Sequence, residues 1–116
     1  MTGGEGRTGQ IAVIFLSQRR SAAAGGDDDG AYDAAAAAMD ALAAVQPGYR
    51  GVDGVRGPDG FGITVSWWAD EAAALAWRAH PAHEAIREQG RAAWYDAYEV
   101  AVAAVGRSYR WDGDPA

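Results

Sequence analysis

The chain has 116 residues and a formal net charge of −6, from 10 basic and 16 acidic side chains. That length holds one domain with a single modest core and excludes a multidomain enzyme. No cysteine is present, so disulfides, thiolate nucleophiles and cysteine-bound metals are excluded; the bases, all Arg, form no stripe of the kind that grips nucleic acid.

Residues 1–9 hold little to bury and no apolar leader segment, so a disordered N-terminal lead is expected. The apolar runs fall far short of the ~20 residues of a spanning helix, which points to a soluble, cytoplasmic protein with no membrane partner. Ile11-Ala-Val-Ile-Phe-Leu16 then forms a run of strand length, rich in β-branched residues, which stops at Ser17-Gln-Arg-Arg20. A Gly-rich loop follows. It ends in Asp27-Asp28-Asp29-Gly30, whose acids complement the N-terminus of a following helix and supply a cap. Tyr32, Ala35, Met39 and Leu42 recur at spacings of three and four, which predicts a helix over 31–46, ended by Pro47-Gly48.

Residues 49–57 and 60–68 form a hairpin through Gly57-Pro-Asp-Gly60, with glycine at the left-handed position. Its second strand alternates. Phe61, Ile63, Val65 and Trp67 share one face, taken as the core side; Gly62, Thr64, Ser66 and Trp68 share the other. Asp70 caps a short helix to about Ala79. Pro81 breaks it and starts a second helical segment, about 81–93. Residues 95–105 form the last strand, apolar on both faces, and 111–116 a tail.

The order β-α-β-β-α-β is the split arrangement of an α+β, ferredoxin-like domain over residues 10–110. Two helices cover one face of a four-stranded sheet. The other face is left apolar, which predicts a homodimer packed sheet on sheet as a dimeric α/β barrel.

Chemistry-bearing residues cluster late in the chain. His80 and His83 are three apart, but no firm third ligand accompanies them, so no metal is expected. His83 is a candidate base or donor, since histidine titrates near neutrality. Trp67, Trp68, Trp77, Trp94 and Trp111 are too many for one small core. Trp68 and Trp77 are the preferred walls of an aromatic cavity, with Trp94 and His80 beside them. Tyr95 and Tyr98 supply rim hydroxyls, and Arg91 a guanidinium for a carboxylate or phenolate.

The run Ile14-Phe-Leu-Ser-Gln-Arg19, Gln46-Pro-Gly-Tyr49, Gly60-Phe-Gly-Ile-Thr-Val-Ser-Trp-Trp68, Trp77 with His80 and His83, Gly90-Arg91, Trp94-Tyr95 and Arg107-Ser-Tyr109 together resemble the antibiotic biosynthesis monooxygenase family, in its small single-domain bacterial branch. The resemblance implies a cofactor-independent monooxygenase of an electron-rich aromatic, polyketide-like molecule. It implies dioxygen as co-substrate and a homodimer. His83 would be the base, Tyr95 and Arg91 would steady the substrate oxyanion, and Trp68 and Trp77 would stack on its rings. Two alternatives share the scaffold. One is a non-oxidative cyclase, isomerase or small-molecule binder. The other is a haem-degrading protein, which in that group uses an Asn on the first strand; this chain has no Asn, and Ser17 and Gln18 occupy the region.

Overall fold

A computed structural model describes residues 6–20 and 29–113. The elements are strand β1 (Ile11–Arg19), helix α1 (Asp29–Ala44), strands β2 (Tyr49–Arg56) and β3 (Phe61–Trp68), helices α2 (Glu71–Arg78) and α3 (Pro81–Gln89), a π-helical turn (Gly90–Trp94) and strand β4 (Tyr95–Ala104). All strand pairs are antiparallel in the order β2-β3-β1-β4, the ferredoxin-like arrangement.

The local signals act as the physics requires. Asp70 caps α2 by accepting the Ala73 N–H at 2.8 Å. His80 caps α3, its Nδ1 accepting the Ala82 N–H at 3.1 Å, and Pro81 takes the first helical position. In the hairpin the Gly60 N–H donates to the Gly57 carbonyl at 3.0 Å, and Gly60 has φ +88°. The acidic cap expected at Asp27-Asp28-Asp29 lies outside the described residues and side chains. The apolar run is only the first two-thirds of β1, because the ladder to β3 and β4 carries on through Ser17, Gln18 and Arg19. Beyond the last ladder pair, Arg7 anchors residues 6–9. Its N–H donates to Ser108 Oγ at 2.8 Å, and its guanidinium sits 4.2 Å from the Trp67 ring. Residues 6–9 are therefore held to the fold.

One expectation about the sheet is reversed. Register puts Ile11, Val13, Phe15 and Ser17 of β1 on the same face as Trp68, Ser66, Thr64 and Gly62 of β3. That is the helix-covered face, because Trp68 joins Ala43 of α1 and Ala74 and Trp77 of α2 in the buried cluster. Phe61, Ile63, Val65 and Trp67 point the other way, and Phe61 and Ile63 are 42% and 37% exposed. Alternation identifies two faces but does not say which one the helices cover. A face of Gly, Thr and Ser beneath helices leaves room that bulky side chains would fill.

Candidate functional site

Aromatic side chains gather in two places on the helix-covered face, at opposite ends of β1. Trp68 lies opposite Ile11, and Tyr95 lies opposite Arg19. Eight residues of strand separate these levels, about 26 Å.

The first group is a stack. Trp68 has no exposed surface, meets the Tyr49 ring edge-on at 5.7 Å and stacks on Trp77 at 6.1 Å. Its indole N–H donates to Ser66 Oγ at 2.9 Å, so the one polar atom is satisfied. His83 lies flat on the outer face of Trp77, 4.7 Å away and 8° from parallel, and His80 contacts the same indole at 5.5 Å. His83 Nδ1–H donates to the Trp77 carbonyl at 3.1 Å. A carbonyl only accepts, so the lone pair of the neutral ring is on Nε2. Burial holds the His83 pKa below its ordinary value; the Trp77 carbonyl opposes this, and the positive field of Arg87 reinforces it. His83 is therefore a neutral acceptor at neutral pH.

The second group mixes rings with charge. Phe15, Tyr95 and Tyr98 contact one another at 5.4–6.2 Å. Tyr32 of α1 meets Tyr95 at 5.9 Å and Trp94 at 5.5 Å, both edge-on. Through this group runs the guanidinium of Arg56, the last residue of β2. It donates to the Gly60 carbonyl at 2.6 Å, to Ser17 Oγ at 2.8 Å and to the Tyr32 hydroxyl at 3.0 Å, with a longer bond to the Ser17 carbonyl at 3.3 Å. The Tyr95 hydroxyl donates to Tyr32 at 3.1 Å, and the Arg19 guanidinium lies 3.7 Å above the Tyr32 ring. Gly62 makes the fit possible. A Cβ there would stand 2.7 Å from the centre of the Arg56 guanidinium. Gly90 does the same for Tyr95, whose ring lies 2.9 Å from where a Cβ would be.

Donor accounting shows what this network offers. The bonds to Gly60, Ser17 and Tyr32 use both terminal nitrogens of Arg56. Tyr32 accepts twice, so its own O–H proton is left over among the described residues. Tyr95 is no base. Burial and its bond to Tyr32 push the phenol well above its ordinary pKa, and the opposing pull of Arg56 and Arg19 does not reverse that. Leading away from this group on the same sheet face are Val100 and Val102, opposite Phe15 and Val13. Both are exposed, at 44% and 56%. The second group thus offers one free hydroxyl proton, backed by a guanidinium, at the end of an apolar strip.

Of the residues singled out from sequence, Tyr95, Tyr98 and Trp94 come together here. Trp68, Trp77, His80 and His83 assemble at the other end. Trp68 packs as core rather than as the wall of an open space, and Trp77 borders a depression of about 320 Å³ between α2 and the loop of Gln46, Pro47 and Gly48. Arg91 joins neither group. It is half exposed on the outside of the π-helical turn and pairs with Glu88. Tyr32, Arg56, Ser17 and Arg19 were missed. The available signal was phase: Ser17 and Arg56 occupy helix-facing strand positions, where a polar residue needs a reason. Ser17, only 1% exposed, has one in its bond from Arg56.

A family model described as antibiotic biosynthesis monooxygenase matches residues 15–89. The uncharacterized protein YqjZ of Bacillus subtilis is 50% identical over 76 residues, 66% of this chain and 67% of that protein. Among solved structures, SnoaB, a cofactor-independent oxygenase from Streptomyces nogalater, superposes with a TM-score of 0.70 at 16% identity, covering 87% of this chain and 97% of that one. Rv0793 from Mycobacterium tuberculosis gives 0.68 at 22% identity, covering 82% and 93%. At those identities the structural likeness is one of fold. The family match spans well over half of the chain, which belongs to the antibiotic biosynthesis monooxygenase family.

Proposed function

We propose that the protein is a cofactor-independent monooxygenase of an electron-rich aromatic molecule, a phenol or hydroquinone of the polyketide type. The observation that carries this is the half-buried group of rings around Tyr32 and Tyr95, which offers hydroxyl donors backed by a guanidinium and opens onto the apolar strip of Val100 and Val102. Family membership and the fold shared with SnoaB, a cofactor-independent oxygenase, support it.

In this mechanism the substrate supplies the electrons. An ionised phenol passes one electron to dioxygen. Recombination forms a C–O bond at a ring carbon ortho or para to the phenolic oxygen, and O–O cleavage then leaves a carbonyl on that carbon, the second oxygen leaving as water with that carbon's hydrogen and the phenolic proton. The protein's tasks are to hold the oxyanion and exclude water. The free hydroxyl proton of the Tyr32–Tyr95 pair holds the oxyanion; Arg56, rather than the outward-facing Arg91, supplies the positive charge behind it. His83 stands with the other ring group, out of hydrogen-bond reach of that oxygen, so the phenolic proton passes to solvent at the open strip. Tyr98 and Trp94 flank the oxyanion.

The same proposal includes a second copy of the chain. The open sheet face presents Phe61, Ile63 and Val55, the last 73% exposed, and a sheet-on-sheet dimer covers them. Sedimentation at micromolar concentration should give twice the 12.1 kDa chain mass, and Phe61→Asp should give the monomer; a wild-type monomer overturns the dimer. For the activity, an oxygen electrode with anthrone and hydroxynaphthalene probes should record uptake without added metal or cofactor. Ligand-induced thermal stabilisation with no oxygen uptake would instead make the chain a non-oxidative binder, cyclase or isomerase.

A further inference from the structure

We infer that the depression between α2 and the loop after α1 is a second small-molecule site, and that it takes an uncharged amide. The amide carbonyl accepts from the Trp77 indole N–H, and the amide N–H donates to the Asp70 carboxylate. The site lies at the opposite end of β1 from the Tyr32–Tyr95 group and does not depend on the oxygenase reading.

Three features of the structure lead there. First, Trp77 keeps an unspent donor. A buried indole N–H ordinarily finds an acceptor. Trp68 donates to Ser66 Oγ at 2.9 Å, and Trp67 to Asp53 at 2.9 Å. Trp77 is only 9% exposed, yet its N–H has no partner among the described residues. The nitrogen is not sealed in either, for it keeps contact with open space. Trp68 on one face of the ring and His83 on the other hold the indole in place, so the donor is preorganised. Second, the open space that Trp77 borders is a depression of about 320 Å³, the size of a small-ligand site. Pro47, Ala72 and Ala76 give it a small apolar lining suited to a hydrocarbon ring. Third, its remaining polar groups select the ligand. Asp70 is the one charged side chain on the lining. One of its oxygens accepts the Ala73 N–H at 2.8 Å, and the other is uncommitted among the described residues. That carboxylate already caps α2, so the positive end of the helix is spent and an anion meets like charge. Gln46 gives one N–H to the Leu42 carbonyl at 3.1 Å and keeps its amide oxygen as a further acceptor. An indole N–H only donates and a carboxylate only accepts, so a ligand that satisfies both must accept and donate without a negative charge. An amide does so through adjacent atoms.

The test is a nuclear magnetic resonance titration of the full nitrogen-15-labelled chain with two probes of one shape, benzamide and benzoate. Five tryptophans give five indole N–H signals, and the one missing from Trp77→Phe belongs to Trp77. Should Trp77→Phe fail to fold, the signal is assigned by its proximity to the His83 ring, 4.7 Å from the indole. Benzamide should move the Trp77 signal with a dissociation constant of about 1–10 mM, ordinary for a ligand of about nine non-hydrogen atoms. Benzoate should bind about tenfold more weakly. Ala76→Leu fills the depression from an exposed helical position and should abolish the shift while leaving the other four indole signals in place. Asp70→Asn, which still caps the helix, should bring benzoate to within about threefold of benzamide. A Trp77 signal unmoved by about 20 mM benzamide, an equal response to benzoate in the wild type, or benzamide binding unchanged in Ala76→Leu overturns the inference.

Discussion

The two aromatic groups of this domain share a sheet face and a helix layer, yet they do different work. At one end Tyr49, Trp68 and Trp77 stack with their one buried indole donor satisfied, and they exclude solvent. At the other end Phe15, Tyr32, Tyr95 and Tyr98 surround a guanidinium and a buried serine, and the rings stay partly open. Indoles alone make a core, which is the cheapest use of a large apolar ring. A site requires polar atoms that apolar surroundings would otherwise reject, held there by a network that satisfies all but one of them. The contrast between a dry stack and a charged ring cluster locates the chemistry better than the number of tryptophans does.

The comparison can be broken most decisively at the dry end. Trp68→Ala should lower stability by about 3–5 kcal/mol, the range for a fully buried large ring, in a denaturant titration. A loss under 1 kcal/mol would mean that the stack is not the core. At the charged end, Gly62→Ala places a methyl group against the Arg56 guanidinium, 2.7 Å from its central carbon. Turnover should fall, by up to the roughly hundredfold to thousandfold that loss of a single oxyanion donor costs. The melting temperature should change far less than in Trp68→Ala.

His83, stacked on Trp77 at the dry end, gives a smaller, pH-dependent effect. Its pKa in the folded protein lies below the ordinary 6.5. The unfolded chain therefore binds more protons in the window below that value, and stability rises with pH there. The contribution is fully present above pH 6.5 and is lost as pH falls through the lowered folded-state pKa. His83→Gln should flatten the dependence of melting temperature on pH between about pH 7 and 5; an unchanged slope would assign it to other groups. The smallest effect belongs to Arg91. Exposed and paired only with Glu88, Arg91→Ala should change stability by about 0.5 kcal/mol or less and turnover by less than twofold. A large loss of activity would return Arg91 to the site.

Much of the fold was legible residue by residue. The break at Pro81, the cap at Asp70 and the turn at Gly57–Gly60 depend on chemistry within four residues, so local sequence suffices. The candidate site was legible only in part. Tyr95, Tyr98 and Trp94 are neighbours in the chain and stay neighbours in space. Tyr32, Arg56 and Ser17 come from three separate elements, and their hydrogen bonds span 24 and 39 residues. Trp68 and Trp77 looked like cavity walls because a ring's burial depends on what stacks on it, and the stacking partner lies on another element.

Element order, caps, turns and the alternating faces were therefore properties of the sequence itself, because steric and hydrogen-bonding preferences of single residues act over one or two turns of chain. Which face of β3 the helices cover, which rings became core, and which arginine lies among the tyrosines were decided by the tertiary structure. Those outcomes follow from strand register and helix docking: one residue of register exchanges the two faces of a strand, and no local preference records the difference.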